Sequence, residues 1–110
     1  MKNLSLTAVM LAALGTCANA SAALDTAAAN ALMAKAACSA CHQVDKKVLG
    51  PGYKEVSAKY QGNAKAGELL MQKVRSGGVG TWGSIPMPPN PKEKISDDDL
   101  KSLVAWILSL

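Results

Sequence analysis

Residues 38–42 read Cys38-Ser39-Ala40-Cys41-His42, two cysteines three apart with a histidine directly after the second. This C-x-x-C-H spacing is the pattern of covalent c-type haem attachment. Each thiol adds to a vinyl group of the porphyrin as a thioether, and the two intervening residues let both sulfurs reach one edge of the ring. The next residue then presents an imidazole to the iron from one face. Other readings of these five residues compete. A thioredoxin-like pair needs a preceding strand and a βαβ context, whereas the surroundings are alanine-rich and helical. A zinc site takes about four ligands, and beyond the leader the chain offers only these two thiols and one imidazole. A plain disulfide beside a surface histidine is the remaining alternative, although two such near neighbours make a poor fold-stabilising bridge. We expect one haem c, joined to Cys38 and Cys41, with His42 on the iron.

The chain has 110 residues, one domain at most. Lys2, the apolar run from Leu4 to Leu14 and the small-residue sites Ala18-Asn19-Ala20 and Ala20-Ser21-Ala22 compose a secretory signal peptide. The run is too short to span a bilayer. Residues 1–22 are therefore expected to be cleaved, after Ala20 or Ala22, leaving residues 23–110 as an exported domain with no integral membrane segment. Cys17 leaves with the leader. Leu14-Gly15-Thr16-Cys17 is only faintly like a lipoprotein site, because Thr16 is larger than the residue usual before the cysteine.

The exported domain has no phenylalanine, and its aromatics are Tyr53, Tyr60, Trp82 and Trp106. A chain this small buries a limited core and leans on a metal or crosslink, which a large apolar haem would supply. The formal charge of +4 falls by one when Lys2 leaves. It is too small and too scattered to argue for nucleic acid.

Four helices are expected. Asp25-Thr26 caps the first, from Ala27 to about Ala37, with the attachment motif at its end. Tyr53–Tyr60 and Ala66–Ser76 follow, separated by Gln61-Gly62-Asn63. Ser96 caps the last, with Asp97, Asp98 and Asp99 in its first turn. Leu100, Leu103, Val104, Ile107 and Leu108 recur there at i, i+3, i+4, i+7 and i+8, so this helix should cross the first and close the core. Gly77-Gly78-Val79-Gly80 reads as a mobile or tightly turning loop.

In Trp82-Gly83-Ser84-Ile85-Pro86-Met87-Pro88-Pro89-Asn90, three prolines enclose one methionine. They hold Ile85 and Met87 in extended backbone, on a stiff loop suited to keep a thioether at the iron in both oxidation states. Core filling is the commoner role of methionine, but Met/His is a recognised axial pair. Met33 and Met71 fall within helices, and a second histidine is absent from the sequence. Pro51 lacks an N–H but has a carbonyl, which suits it to accept the second ring N–H of His42; a plain turn is the alternative. Trp82 carries a donor that favours a partner when buried, either a haem propionate or nothing beyond core packing.

Cys38-x-x-Cys41-His42, Gly50-Pro51-x-Tyr53-Lys54, Trp82-Gly83-x-Ile85-Pro86-Met87-Pro88-Pro89 and the final Trp106 helix together resemble the small bacterial class I monohaem cytochromes c, the c-551/c-552 group. The resemblance spans essentially all of residues 23–110. It implies an all-α fold of about four short helices wrapped around one covalent haem, a periplasmic location and one-electron carriage between respiratory proteins. It also implies His42 and Met87 as axial ligands, Cys38 and Cys41 as thioether sites, Pro51 supporting His42 and Trp82 near a propionate. Expected partners are transient redox proteins: cytochrome-type donors, and a terminal reductase, peroxidase or oxidase as acceptor. The protein is expected to be a monomer and not an enzyme. Lys46, Lys47 and Lys54 are candidates for steering it onto acidic partners, or simply a solvated basic surface. Two features depart from the group: Gly52 stands where alanine is common, which would loosen the turn by Pro51, and Pro91-Lys92-Glu93-Lys94-Ile95 lengthens the link to the last helix. The rival class is a haem enzyme or gas-binding sensor with an open or labile sixth position on the iron.

Overall fold

The computed structural model describes residues 23–110; the signal-peptide reading of residues 1–22, Cys17 included, lies outside them. Helix α1 spans Thr26–Lys35, α2 Tyr53–Tyr60, α3 Ala66–Ser76 and α4 Asp97–Leu108, with a short 3-10 turn at Cys38–Ala40. The ends of the helices follow from capping chemistry. Asp25 accepts from the Ala28 N–H at 2.7 Å, and Ser96 accepts from the Asp99 N–H at 3.1 Å. At α2 the Glu55 carboxylate accepts the Gly52 N–H at 2.8 Å, using one of the N–H groups that a helix start leaves unpaired.

Helix α1 stops two residues short of the expected end. Ala37 takes φ 60, the one positive φ at a non-glycine position among the described residues. The chain turns there, so the cysteines ride on a separate 3-10 turn instead of on the helix itself. A second difference lies in the glycine-rich stretch. It forms strand β1, Gly78–Gly80, paired antiparallel with β2, Gly83–Met87. Pro86 and Pro88 keep Ile85 and Met87 extended, and the positive φ of Gly80 and Gly83 lets the chain reverse at Thr81-Trp82. The four-helix architecture stands, with this small ribbon added to it.

Helix α4 organises the interior by packing on α1, α2 and α3. Leu100, Leu103, Val104, Trp106 and Ile107 are buried, against Ala29, Met33 and Ala36 of the first segment, Tyr53 and Val56 of α2, and Leu70 of α3. The Pro91–Ile95 link is a compact turn in which the Pro91 carbonyl accepts from the Lys94 and Ile95 N–H groups, and Ile95 is buried. At the far end of α4, Ser57 Oγ lies 3.2 Å from the Leu108 carbonyl and 2.9 Å from that of Leu110, serving carbonyls that a helix end leaves without partners.

Candidate functional site

The apolar faces of α2, α3 and α4 leave one cleft beside the core. Val56, Leu70, Leu100, Leu103, Val104 and Ile107 wall it. Cys38, Cys41, His42, Pro51, Trp82 and Met87 all line it, so residues 49 positions apart in sequence meet at one place.

His42 is held from several directions. Its Nδ1 lies 2.8 Å from the Pro51 carbonyl oxygen. A carbonyl can only accept, so Nδ1 carries the proton and Nε2 keeps its lone pair for a metal. The ring stacks on Tyr53, centroids 5.2 Å apart at 18°, and Tyr53 meets Trp106 edge-on at 6.3 Å. Burial pushes the Tyr53 hydroxyl well above the usual phenol range, so it stays neutral beside the imidazole. Gly50 closes the third side, where an added Cβ would stand 2.5 Å from His42 Cε1. The intervening loop is tied back on itself. The Cys41 carbonyl accepts from Gly50 N at 2.8 Å, that of Gln43 from Tyr53 N at 2.9 Å, and that of Val44 from Lys54 N at 3.0 Å. At Gly52 a Cβ would meet the Lys46 backbone nitrogen at 3.0 Å, a tight approach of the two segments that glycine leaves clear.

Cys38 and Cys41 are half-buried and unpaired. Desolvation pushes the Cys38 thiol up, opposed by the nearby Lys94 ammonium.

Met87 ends β2, half-buried, and among the described residues is the one methionine on the cleft. Met33 lies in the core, and Met71 packs against it. The segment after Met87 is fastened to the end of α3. Asn90, only 6% exposed, donates through Nδ2 to the carbonyls of Val74 (3.2 Å) and Pro88 (3.0 Å). Its N–H also reaches Val74 O at 3.0 Å. Arg75 donates to the Asn90 carbonyl at 3.1 Å and to Asp97 at 2.7 Å. The sequence reading took Gly50 and Gly77 only as turn and loop glycines and gave no site role to Arg75 or Asn90. The available signal was an amide directly after Pro88-Pro89, where the backbone has no freedom to find other partners.

Trp82 is half-buried on the cleft. Lys59 Nζ sits 5.5 Å from its ring centroid, and its carbonyl accepts from Lys47 Nζ at 3.5 Å. Lys54 is paired with Asp45 instead.

Among the described residues, no group of three or more His, Cys, Asp or Glu side chains is placed to hold a metal ion. The nitrogen and sulfur donors on the cleft include the His42 imidazole, the Met87 thioether and the Cys38 and Cys41 thiols, a set too soft for hard cations; with the thiols taken up as thioethers, an imidazole and a thioether remain, a pair suited to haem iron. With two free thiols on the rim and apolar walls, the residues present fit a covalently attached haem.

Comparison with known proteins agrees. The Cytochrome c family model matches residues 26–110. Cytochrome c-551 of Allochromatium vinosum is 49% identical over 79 residues, covering 72% of this chain and 82% of its own. The crystal structure of Nitrosomonas europaea cytochrome c552 superposes with a TM-score of 0.69 at 47% identity, over 74% of this chain and 98% of its own. That of the class 1 cytochrome MtoD from Sideroxydans lithotrophicus ES-1 gives 0.69 at 40% identity, over 79% and 97%.

Proposed function

Because the chain belongs to the cytochrome c family, we propose that it is a periplasmic one-electron carrier, not a catalyst, with His42 and Met87 as the axial ligands of its haem c. A haem held as thioethers on Cys38 and Cys41 supplies the one-electron couple of its iron. The residues of the chain do the rest. Pro51 O fixes the His42 tautomer and orients the ring, and the walls from α3 and α4 keep water away. A thioether from Met87 is a weak donor that favours the ferrous state and raises the potential within the ~0.8 V that axial ligation spans.

One observation carries this reading. The imidazole whose Nδ1 is engaged by Pro51 and the one methionine on the cleft among the described residues face the same space. Two protein donors at the iron leave no position for a substrate, which separates a carrier from a haem enzyme or a gas sensor. Export is supported by the leader-like composition of residues 1–22. Among the described residues, no helix is long and apolar enough to cross a membrane.

Partners are taken to be respiratory redox proteins, engaged transiently. Lys47 and Lys59 converge on Trp82 at one end of the cleft and favour acidic surfaces, an effect that salt weakens. The test is the optical spectrum of the purified holoprotein. A low-spin spectrum with the weak far-red sulfur-to-iron band when oxidised, lost in Met87→Ala, is expected. A high-spin spectrum, with carbon monoxide bound at once by the reduced protein, would overturn the reading in favour of an open iron.

A further inference from the structure

We propose that the last turn of α3 is the seat that fixes Met87 at the iron, with Gly77 and Arg75 as its positioning residues. The inference rests on the reading of Met87 as an axial ligand.

The backbone leaving Met87 passes directly over Gly77. A Cβ at Gly77 would stand 2.4 Å from the Met87 carbonyl oxygen, 2.9 Å from the Pro88 carbonyl carbon and 2.9 Å from Pro89 N. All three are main-chain atoms, so no side-chain rotation relieves the clash. The segment is also stiffened by Pro86, Pro88 and Pro89. Gly77 itself adopts φ 68 and ψ −167, a conformation essentially confined to glycine. Glycine is thus required for conformation and for clearance together.

Arg75, two residues earlier in α3, secures the end of the same segment. It donates to the Asn90 carbonyl and to Asp97, tying the end of the Met87 segment to the first turn of α4. Neither residue lines the cleft. Both therefore act on the thioether through the main chain that carries it.

The experiment uses full holoprotein: wild type, Gly77→Ala, Arg75→Gln, Gly62→Ala and Met87→Ala. Gly62 also has a positive φ of 78, but a Cβ there meets nothing within 4 Å, so Gly62→Ala carries backbone strain without the clash. Two quantities are read, the far-red sulfur-to-iron band of the oxidised protein and the rate at which it takes up cyanide. In Gly77→Ala the Met87 carbonyl must retreat by roughly 1 Å to reach ordinary van der Waals separation. Misplacement of that size costs positioned groups on the order of a hundredfold, so cyanide uptake should rise ten- to a hundredfold, by that order of magnitude, with the band weakened or lost. Arg75→Gln should raise uptake about tenfold, the equivalent of one charge-assisted hydrogen bond. Gly62→Ala should match wild type.

Gly77→Ala that keeps the band and the wild-type rate overturns the proposal, as does Gly62→Ala behaving like Gly77→Ala. Should Gly77→Ala yield no holoprotein, Arg75→Gln decides, and a wild-type rate there overturns the proposal. A band that persists in Met87→Ala defeats the ligand reading itself. A band lost in Met87→Ala but intact in Gly77→Ala defeats the seat alone.

Discussion

Replacing Asn90 should cost more than its size suggests, and the two obvious replacements should fail in a defined order. Asn90 is almost fully buried, and its amide donates to two carbonyls, those of Val74 and Pro88. In Asn90→Ala both side-chain bonds vanish. The Val74 carbonyl keeps the Asn90 N–H at 3.0 Å, but the Pro88 carbonyl loses the donor the amide gave it. Two hydrogen bonds at about 1 kcal/mol each, one leaving a carbonyl without that partner, give a loss of about 2–3 kcal/mol. For a domain of this size each kcal/mol moves Tm by roughly 4–8 °C, so the drop should be on the order of 10–20 °C. Asn90→Asp keeps the shape but turns both donors into acceptors and aims a carboxylate at two carbonyl oxygens. It should be less stable than the alanine variant despite being nearly isosteric. Thermal unfolding of the holoproteins, followed by far-UV circular dichroism, measures both. If Asn90→Asp is as stable as wild type, or the two variants fall equally, the residue fills space and its amide donors are irrelevant.

Gly50→Ala should drive the His42 ring off its place against Tyr53, because the new Cβ would lie 2.5 Å from Cε1; an altered spectrum and reduction potential are expected, while Gly67→Ala, a helical position in α3 whose Cβ meets nothing within 4 Å, should leave both unchanged. Ser57→Ala removes the hydroxyl that serves the end of α4 and should cost about 1 kcal/mol with no change in potential, since it lies away from the cleft. Asp97 is held below its ordinary value of 3.8 by hydrogen bonds from Lys92 and then Arg75. A lowered folded pKa means its contribution is present above that ordinary value and disappears as pH falls through the folded one. Asp97→Asn should therefore be less stable than wild type at neutral pH and converge with it in acid; a gap that stays constant with pH contradicts this.

Much of the fold was legible because it rests on local chemistry. Asp25 and Ser96 announce helix starts, and the spacing from Leu100 to Leu108 announces a buried face whatever packs on it. The bounds of α2 and α3 match the expected spans because glycine and asparagine interrupt the pattern on both sides. The attachment motif and Pro51 were legible for the same reason, since nine residues of chain suffice to bring Pro51 O back to His42. What was missed depends on contacts between distant segments. Nothing local to Gly77 says that the Met87 backbone will cross it, and nothing local to Arg75 says that Asp97, 22 residues on, will be its partner. The ribbon escaped notice because glycine-rich strands carry no alternation to read, and α1 ended early through an alanine in a conformation that alanine rarely adopts.

The two segments that carry the cleft's donor atoms are built on one plan. His42 is oriented by a backbone carbonyl and bounded by a glycine; Met87 is carried over a glycine and fastened through backbone carbonyls. Main-chain atoms position both donor-bearing residues, so few side chains beside them are needed for it. The walls are free to be purely apolar, and Leu100, Leu103, Val104 and Ile107 serve at once as core of the domain and lining of the cleft. A chain with four aromatic residues beyond position 22 has little apolar surface to spare for two separate purposes. Sharing it makes the haem part of the hydrophobic core, which leaves the Trp82–Asn90 stretch free to be stiff and proline-rich.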